Sequence, residues 1–449
     1  MKTQEFIPTS KVARATRFVT TGVKIGGNYL KHNIKKIVTG EASKEQLHQD
    51  NATDIYSTLS ELKGSALKVA QMLSMDRNML PRAYTARFQM SQYSAPPLSG
   101  PLVVKTFRKY FGKSPQDLFD SFEMDAENAA SIGQVHKATK GTKQLAVKIQ
   151  YPGVADSISS DLKMVKPMAV RLFNLNEKDL ERYMGEVETK LLEETDYELE
   201  LKRSQEISAS CAHIQNLFFP SYYPELSSAR ILTMDWLEGL HLNEFLKTNP
   251  SQEVRNQIGQ ALWDFYDFQI HTLRQVHADP HPGNFLMRNN GTLGVIDFGC
   301  VKVIPKDYYE NYFALINPDT IADKQKTEQI FYELEFLTKT DSPREAAFFY
   351  ELFVKMIDLL GRPFAVEKFD FGNDAYFEEV YGFADELGKV EELRNSKVAR
   401  GSQHGLYVNR TYFGLYSILN DLRAVVTTTK PDWLRSKSIV IEKPKKAQV

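Results

Sequence analysis

Two short motifs in the second half of the chain limit the folds that it can adopt. HADPHPGNFL occupies residues 277–286, and VIDFG follows at residues 295–299. Transfer of a γ-phosphoryl group needs one carboxylate that orients the acceptor, and an amide and a second carboxylate that hold magnesium against the phosphates. Asp279, Asn284 and Asp297 supply these groups. The motifs therefore predict a magnesium-nucleotide site in which Asp279 is catalytic and Asn284 and Asp297 bind the metal.

The spacing of these residues matches the protein-kinase pattern, in which an Asn stands five residues after the catalytic Asp and a DFG motif follows. A DFG tripeptide alone is weak evidence, because any junction of a strand and a loop can contain it. The pattern also requires a strand lysine that contacts the α and β phosphates, and AVKI offers Lys148. Its acidic partner should be a helix glutamate. We favour Glu200, with Glu194 and Glu198 as alternatives.

The segment before Lys148 predicts a loop that covers the phosphates. Such a loop approaches oxyanions closely and needs small side chains. Alanine stands here where ordinary protein kinases have glycine, and its Cβ disfavours positive φ, so we expect a stiffer loop. The residues that we assign to nucleotide binding here are Ala129, Ala130, Ser131, Ile132, Gly133 and Gln134, together with Asp235 at the end of a strand-like run.

Length and composition exclude a single small domain and predict two lobes or two to three domains. The chain has 449 residues, which exceeds the usual size of a single hydrophobic core, and 42% of them are hydrophobic, enough for a sizeable interior. A β-hairpin is expected to turn at Lys140 and Gly141. The predicted domains are an N-terminal helical extension at 1–115, a kinase-like N-lobe with a helical insertion at 116–238, a helical C-lobe at 239–430 and a basic tail at 431–449.

Charge and cysteine content exclude several classes of function. The net charge of -1 gives no global field that would attract nucleic acid. With two cysteines, no disulfide framework is available, and no apolar run reaches the ~18 residues of a membrane-spanning helix. We expect a cytoplasmic protein. The basic amphipathic stretch at 1–40 would allow peripheral membrane contact, although a helix packed on its own protein is the simpler interpretation.

These motifs together resemble the UbiB family of atypical kinase-like proteins, also called the aarF-domain family. The resemblance covers residues 59–422 and rests on KxGQ, SIGQVH, the strand lysine, ExD with a second glutamate, DPHPGN and DFG. It implies an α+β, two-lobed protein-kinase-like fold whose N-terminal helical extension packs over the active site. It also implies ATP and Mg2+ as cofactors.

The resemblance assigns further residues to the nucleotide site. Glu200 takes the position of the glutamate that pairs with Lys148. Two departures stand out, because Ala70 replaces the KxGQ glycine and Asn128 stands where the first alanine of the loop is usual. The first is expected to alter how closely the predicted KxGQ helix packs. The other residues that the resemblance places at the site are Lys68 and Gln71 of KxGQ, and Glu194 and Asp196 of ExD.

The resemblance implies a role in the synthesis of isoprenoid quinone lipids, by ATP hydrolysis or by phosphorylation of a small molecule or lipid. The residues also argue against a protein substrate, because the helix-like KDYYENYFALI begins soon after Gly299 and no APE signal follows. A kinase of the aminoglycoside or choline type and a nucleotide-gated scaffold without catalysis stay open as alternatives. A zinc site of His277, Asp279 and His281 is a further alternative, but it gives Asn284 no role.

Overall fold

A computed structural model describes residues 14–17, 19–21, 24–25, 27–28, 31–32, 44–62, 97–129, 132–173, 177–387 and 400–428. The described helices and sheets form the α+β, kinase-like fold that the sequence predicted. The KxGQ residues Lys68 and Gln71, the loop residues Ala130 and Ser131, and the basic tail lie outside these ranges. The four domain boundaries stay predictions.

An antiparallel sheet of five strands carries the lysine motif. The first six strands of the chain are β1 Ser121–Phe122, β2 Asn128–Ala129, β3 Gly133–Lys140, β4 Lys143–Gln150, β5 Leu217–Phe218 and β6 Ile231–Asp235. All of them except β5 belong to this sheet, whose order is β1-β3-β4-β6, with β2 pairing with β3. Strands β3 and β4 form the predicted hairpin, and Gly141 in its turn has a φ of 60°, a conformation that favours glycine.

Helices cover both faces of this sheet. Successive side chains of a strand point to opposite faces, so Val147 and Ile149 of β4 turn away from Lys148. Val147 and Ile149 pack in one buried cluster with Phe107, whereas Tyr197 packs with strand residues in another. The helices up to this point are α1 Lys44–Leu62, α2 Gly100–Phe111, α3 Pro115–Leu118, α4 Val154–Phe173, α5 Glu177–Glu194 and α6 Tyr197–Cys211, with a 3-10 turn at Pro224–Leu226.

The second half of the chain is mainly helical around one large aromatic and aliphatic core. Its helices are α7 Leu242–Lys247, α8 Gln252–Phe268, α9 Lys306–Ala314, α10 Pro318–Ala322, α11 Lys324–Glu333, α12 Pro343–Gly361, α13 Asp374–Leu387 and α14 Gln403–Leu422, with a π-helical turn at Gln269–Leu273 and 3-10 turns at Pro282–Asn284 and Arg362–Ala365. Its strands are β7 Gln275–His277, β8 Phe285–Met287, β9 Leu293–Val295, β10 Val301–Val303, β11 Lys368–Asp370 and β12 Val425–Thr427.

These six strands, together with β5, form three small sheets. Strand β7 pairs with β10, β11 pairs with β12, and β9 lies between β5 and β8. The β8–β9 hairpin therefore places the end of the DPHPGN motif beside the start of the DFG motif. Among the described helices, none is both long enough and apolar enough to cross a membrane.

The described part of the basic N-terminal stretch packs against the protein itself. Arg14 forms a buried ion pair with Asp161 of α4, with 2.5 Å between Nη2 and Oδ2, and it also donates to the carbonyl oxygen of Leu62. The hydroxyls of Thr21 and Thr58 lie 2.6 Å apart. These contacts support the packed-helix interpretation. Peripheral membrane contact stays a prediction.

Candidate active site

Lys148 joins three distant parts of the chain. Its Nζ lies 2.8 Å from Oε1 of Glu200 and 2.9 Å from Oδ2 of Asp297. Lys148 comes from strand β4, Glu200 from the first turn of α6, and Asp297 from the loop after β9. The structure thus selects Glu200 from the three glutamates considered, and it places the strand lysine at the DFG motif.

Local chemistry fixes the start of α6 and so the position of Glu200. Asp196 is the N-cap, and its carboxylate accepts a hydrogen bond from the backbone N–H of Leu199 at 3.0 Å. Such a cap satisfies a helix N–H that has no partner within the helix. The carbonyl oxygen of Thr195 accepts from the side chain of Gln150, which ties this helix end to β4. Asp196 therefore acts here through the helix that carries Glu200.

The charges of this trio depend on one another. Burial raises the pKa of Glu200 to about 7, although the ammonium of Lys148 opposes the shift. Burial acts to lower the pKa of Lys148, but Asp297 and Glu200 outweigh it and hold that pKa well above its ordinary value. Burial acts to raise the pKa of Asp297, and Lys148 reverses this to a lowered pKa. Around neutral pH, Lys148 and Asp297 are thus charged, while Glu200 titrates.

Glu194 lies beside the same charges. A Cβ added to Gly299 would stand 3.2 Å from Oδ1 of Asp297, 3.4 Å from Cγ of Glu194 and 3.6 Å from Oε2 of Glu200. The backbone N–H of Gly299 also donates to Oδ1 of Asp297 at 2.8 Å. The glycine of the DFG motif therefore lies in close contact with the side chains of Asp297, Glu194 and Glu200.

The catalytic loop brings Asp279 and Asn284 together. The side-chain amide of Asn284 donates to the carbonyl oxygen of Asp279 at 2.8 Å and lies 3.4 Å from its Oδ2. The backbone N–H of Ile296 donates to the carbonyl oxygen of Asn284, which places Asn284 next to the residue that precedes Asp297. The predicted spacing thus produces two adjacent groups at the end of the β8–β9 hairpin.

Arg410 is a residue of the site that the sequence analysis missed. It belongs to α14, and its Nη2 donates to Oδ1 of Asp279 at 2.6 Å. No motif surrounds it in the sequence, and 131 residues separate it from Asp279. Only a pattern of contacts between α14 and the catalytic loop could have identified it.

Most of the residues assigned to the phosphate loop can be placed in the structure. Gly133 lies where strands approach closely, because an added Cβ would stand 2.7 Å from the carbonyl oxygen of Ile149. Gln134 pairs with Ile149 on the face opposite to Lys148, and its side chain accepts from Leu98 N–H and contacts His136. The side chain of Gln134 therefore makes its contacts within the protein, on the face of the sheet that does not carry Lys148. Ile132 is buried, and a role for Ala129 stays a prediction.

Asp235 lies at the end of β6. Its carboxylate accepts hydrogen bonds from the hydroxyl of Tyr223 at 2.5 Å and from the backbone N–H of Ser221 at 3.0 Å. The side chain is thus engaged with its own loop. A nucleotide contact at Asp235 would therefore involve its backbone. This contact stays a prediction.

Comparison with known proteins places the chain in a family. Residues 90–331, more than half of the chain, match the ABC1 atypical kinase-like domain. The atypical kinase COQ8B, mitochondrial, of Rattus norvegicus is 30% identical over 376 residues, which cover 82% of this chain and 70% of that protein. The chain belongs to the UbiB family.

One further relative and one solved structure agree with this assignment. The atypical kinase COQ8, mitochondrial, of Saccharomyces cerevisiae is 26% identical over 435 residues, which cover 94% of this chain and 84% of that protein. The complex of Rv3197 with erythromycin from Mycobacterium tuberculosis matches with a TM-score of 0.56 and 26% identity, covering 85% of this chain and 94% of that chain. The kinase-like fold is therefore shared over most of both chains.

The donor set fits the magnesium ion that a kinase-like UbiB-family site implies. Mg2+ prefers oxygen ligands and is usually held by one or two carboxylates together with substrate phosphates. Asp297 offers such a carboxylate. Because the amide nitrogen of Asn284 donates to Asp279, its amide oxygen is the atom that suits a metal. Within the described ranges, no three His, Cys, Asp or Glu side chains cluster to hold a metal. Binding of the ion would therefore also require oxygen ligands from the nucleotide phosphates.

The alternative zinc site is not supported by the histidines. His277 is buried, and its Nδ1 lies 3.0 Å from the hydroxyl of Tyr266. Nδ1 of His281 accepts a hydrogen bond from the backbone N–H of Gly283. Both rings stabilise the catalytic loop of this UbiB-family protein instead.

Proposed function

We propose that this UbiB-family chain is an ATP-dependent enzyme that hydrolyses ATP or transfers its γ-phosphate to a small molecule or lipid. The observation that carries the proposal is the position of Lys148 between Glu200 and Asp297, at 2.8 and 2.9 Å. The ion pair of a strand lysine with a helix glutamate, close to the DFG aspartate, is what phosphoryl transfer in kinases requires.

Each group has a role in this reaction. Lys148, oriented by Glu200, would contact the α and β phosphates. Asn284 and Asp297 would hold Mg2+, which neutralises charge on the transferred phosphate when it is bound. Asp279 would accept a hydrogen bond from the attacking hydroxyl or water and so orient it.

Calorimetry with a magnesium-nucleotide analogue tests the proposal. We expect Lys148→Met and Asp297→Asn to weaken binding by about tenfold or more, since each removes a charge-assisted contact. The matched control is Lys143→Met, because Lys143 lies on the same strand but is exposed. Equal affinity for all four proteins would contradict a nucleotide site at Lys148.

We also propose that the activity supports isoprenoid quinone synthesis. The support is the UbiB resemblance of the motifs and the similarity to proteins named atypical kinase COQ8 and COQ8B. Cells that lack the chain should lose quinone content, and the wild-type chain should restore it. Restoration by Asp297→Asn at equal protein level would separate this role from nucleotide binding.

A small-molecule kinase of the aminoglycoside or choline type is the second candidate. One neighbour has been solved in complex with erythromycin, a small molecule, and this favours testing it. Incubation of the protein with labelled ATP and a metabolite extract discriminates the candidates. A labelled soluble metabolite would support the kinase, and inorganic phosphate as the sole product would support hydrolysis.

We propose that any membrane contact is peripheral and that the protein is otherwise cytoplasmic. The support is the basic stretch at 1–40 and the lack of a membrane-spanning helix among the described residues. Both of the COQ8 relatives described above carry the word mitochondrial in their names, so location needs its own measurement. Sedimentation with anionic vesicles should recover the protein, and neutral vesicles should not.

A further inference from the structure

Helix α14 contacts the catalytic aspartate directly. Nη2 of Arg410 lies 2.6 Å from Oδ1 of Asp279, and the two side chains are 16% and 21% exposed. An arginine–carboxylate contact at this distance is charge-assisted and stronger than a neutral hydrogen bond. Because the pair is largely shielded from water, it restricts the rotamer of Asp279 more than a surface pair would.

A second contact on the same face of α14 holds the next residue of the loop. Gly414 lies four residues after Arg410, so both face the same neighbour. A Cβ added to Gly414 would stand 2.3 Å from Cγ of Pro280 and 3.0 Å from its carbonyl oxygen. The helix backbone therefore rests on Pro280, which follows Asp279. Two independent contacts fix α14 against the loop.

The other side of the aspartate is held by the loop itself. Asn284 donates to the carbonyl oxygen of Asp279 at 2.8 Å and lies 3.4 Å from Oδ2, whereas Arg410 binds Oδ1. Opposite flanks of one carboxylate are thus contacted by two groups. Reactions that depend on orientation lose on the order of 100-fold in rate when a group moves by about 1 Å.

We propose that Arg410 is a positioning residue for phosphoryl transfer, which aims Asp279 at the attacking oxygen while α14 forms one wall of the acceptor site. The inference rests on the proposed function. An acceptor must reach Asp279 alongside the guanidinium, since α14 already covers Oδ1 and Pro280. This geometry favours water or a compact acceptor over a peptide segment.

The test compares four variants of the full chain with the wild type. Arg410→Met removes the contact, and Arg410→Lys retains the charge. Arg400→Met is the control for loss of a buried arginine–carboxylate pair, because Arg400 forms an even more buried ion pair with Asp341 at 2.7 Å, away from the loop. Asp279→Asn reports on the proposed function. The measurements are kcat and KM for phosphate release, nucleotide affinity by calorimetry, and the unfolding temperature.

We expect Arg410→Met to lower kcat by on the order of 10- to 100-fold, with KM and nucleotide affinity within about threefold of the wild type. Arg410→Lys should recover part of the lost kcat. Arg400→Met should lower the unfolding temperature with unchanged kcat. If Arg410→Met does not fold, Gly414→Ala is measured in its place. Its Cβ would displace α14 from Pro280 and should also lower kcat while KM and nucleotide affinity stay nearly unchanged.

Two results would overturn the inference. One is a wild-type kcat in Arg410→Met or its substitute Gly414→Ala. The other is a kcat that falls as much in Arg400→Met as in Arg410→Met, which would indicate general loss of stability. If Asp279→Asn keeps full activity, or if the wild type has none, the proposed function fails and this inference with it. If Asp279→Asn is inactive while Arg410→Met is not, this inference alone fails.

Discussion

Nζ of Lys148 lies 2.9 Å from Oδ2 of Asp297, although 149 residues separate them in the chain. One cation therefore bridges the strand that would contact the phosphates and the loop that would hold the metal. With Glu200 ionised, the three side chains carry a net negative charge, and this favours the arrival of a divalent ion with the nucleotide.

The pH dependence of stability should report on Glu200. Its pKa is raised from an ordinary 4.5 to about 7 in the folded protein. The folded state therefore holds this proton more tightly than the unfolded state. The resulting stabilisation is complete below about pH 4.5 and is lost as pH rises through about 7. Glu200→Gln removes this contribution.

The measurement is chemical denaturation of the wild type and Glu200→Gln at several pH values. The unfolding free energy of the wild type relative to Glu200→Gln should fall between pH 5 and pH 8, by at most ~1.4 kcal/mol per pH unit. Lys148 and Asp297 do not titrate in this window, since their pKa values are shifted away from it. Parallel curves for the two proteins would contradict the raised pKa.

Asp279→Asn and Asp297→Asn should separate catalysis from binding. Asp279→Asn should retain nucleotide affinity and lose on the order of 100-fold or more in turnover, because it removes the carboxylate that would accept the hydrogen bond from the attacking hydroxyl or water. Asp297→Asn should lose affinity as well, since it removes a metal ligand. If Asp279→Asn supports cellular function fully while Asp297→Asn does not, a nucleotide-gated scaffold is the better description.

Gly133→Ala should destabilise the sheet beside the nucleotide loop. The new Cβ would stand 2.7 Å from the carbonyl oxygen of Ile149 and 2.8 Å from the hydroxyl of Tyr197. Overpacking against backbone costs about 1–3 kcal/mol. Gly185→Ala in helix α5 is the control, because its Cβ meets nothing within 4 Å and a helix gains up to about 1 kcal/mol from alanine. Equal unfolding free energies for both variants would refute the close approach.

Tyr197→Phe should not reduce stability. The hydroxyl of Tyr197 is buried beside Lys148 and has no hydrogen-bond partner among the residues that the structure describes. Removing an unsatisfied buried hydroxyl is neutral or stabilising by up to about 1 kcal/mol. Tyr416→Phe is the contrast, since its hydroxyl donates to the carbonyl oxygen of Leu360 at 2.8 Å and its loss should cost about 1 kcal/mol. Denaturation of both variants checks this, and an equal loss in both would show that the Tyr197 hydroxyl is satisfied in solution.

The kinase-like fold and the centre of the site could be predicted because their signals are local. Asp279 and Asn284 stand five residues apart in one loop, and the short apolar strand before Asp297 fixes the start of the DFG loop. Lys148 could be recognised because it lies on the second strand of a hairpin whose turn is marked by Gly141. Residues with this spacing are also close together in the structure, because each motif lies within one hairpin or loop.

Gln134 illustrates what the motif could not decide. It belongs to the SIGQVH segment, and the sequence analysis assigned it to the nucleotide. The register of β3 against β4 turns its side chain to the face opposite to Lys148, where it bonds to Leu98 and His136. A shift of one residue in register would reverse this, so only the paired strands determine the side.

The sequence by itself determined which groups the candidate site offers, namely two aspartates, an asparagine and a strand lysine at kinase spacing. The tertiary structure decided which glutamate meets Lys148 and brought Arg410 to Asp279. The physical reason is that these pairs form between separate elements, whose relative positions depend on how the helices pack on the sheet and on the catalytic loop. No local sequence pattern predicts the contact between Arg410 and Asp279, which are 131 residues apart in the chain.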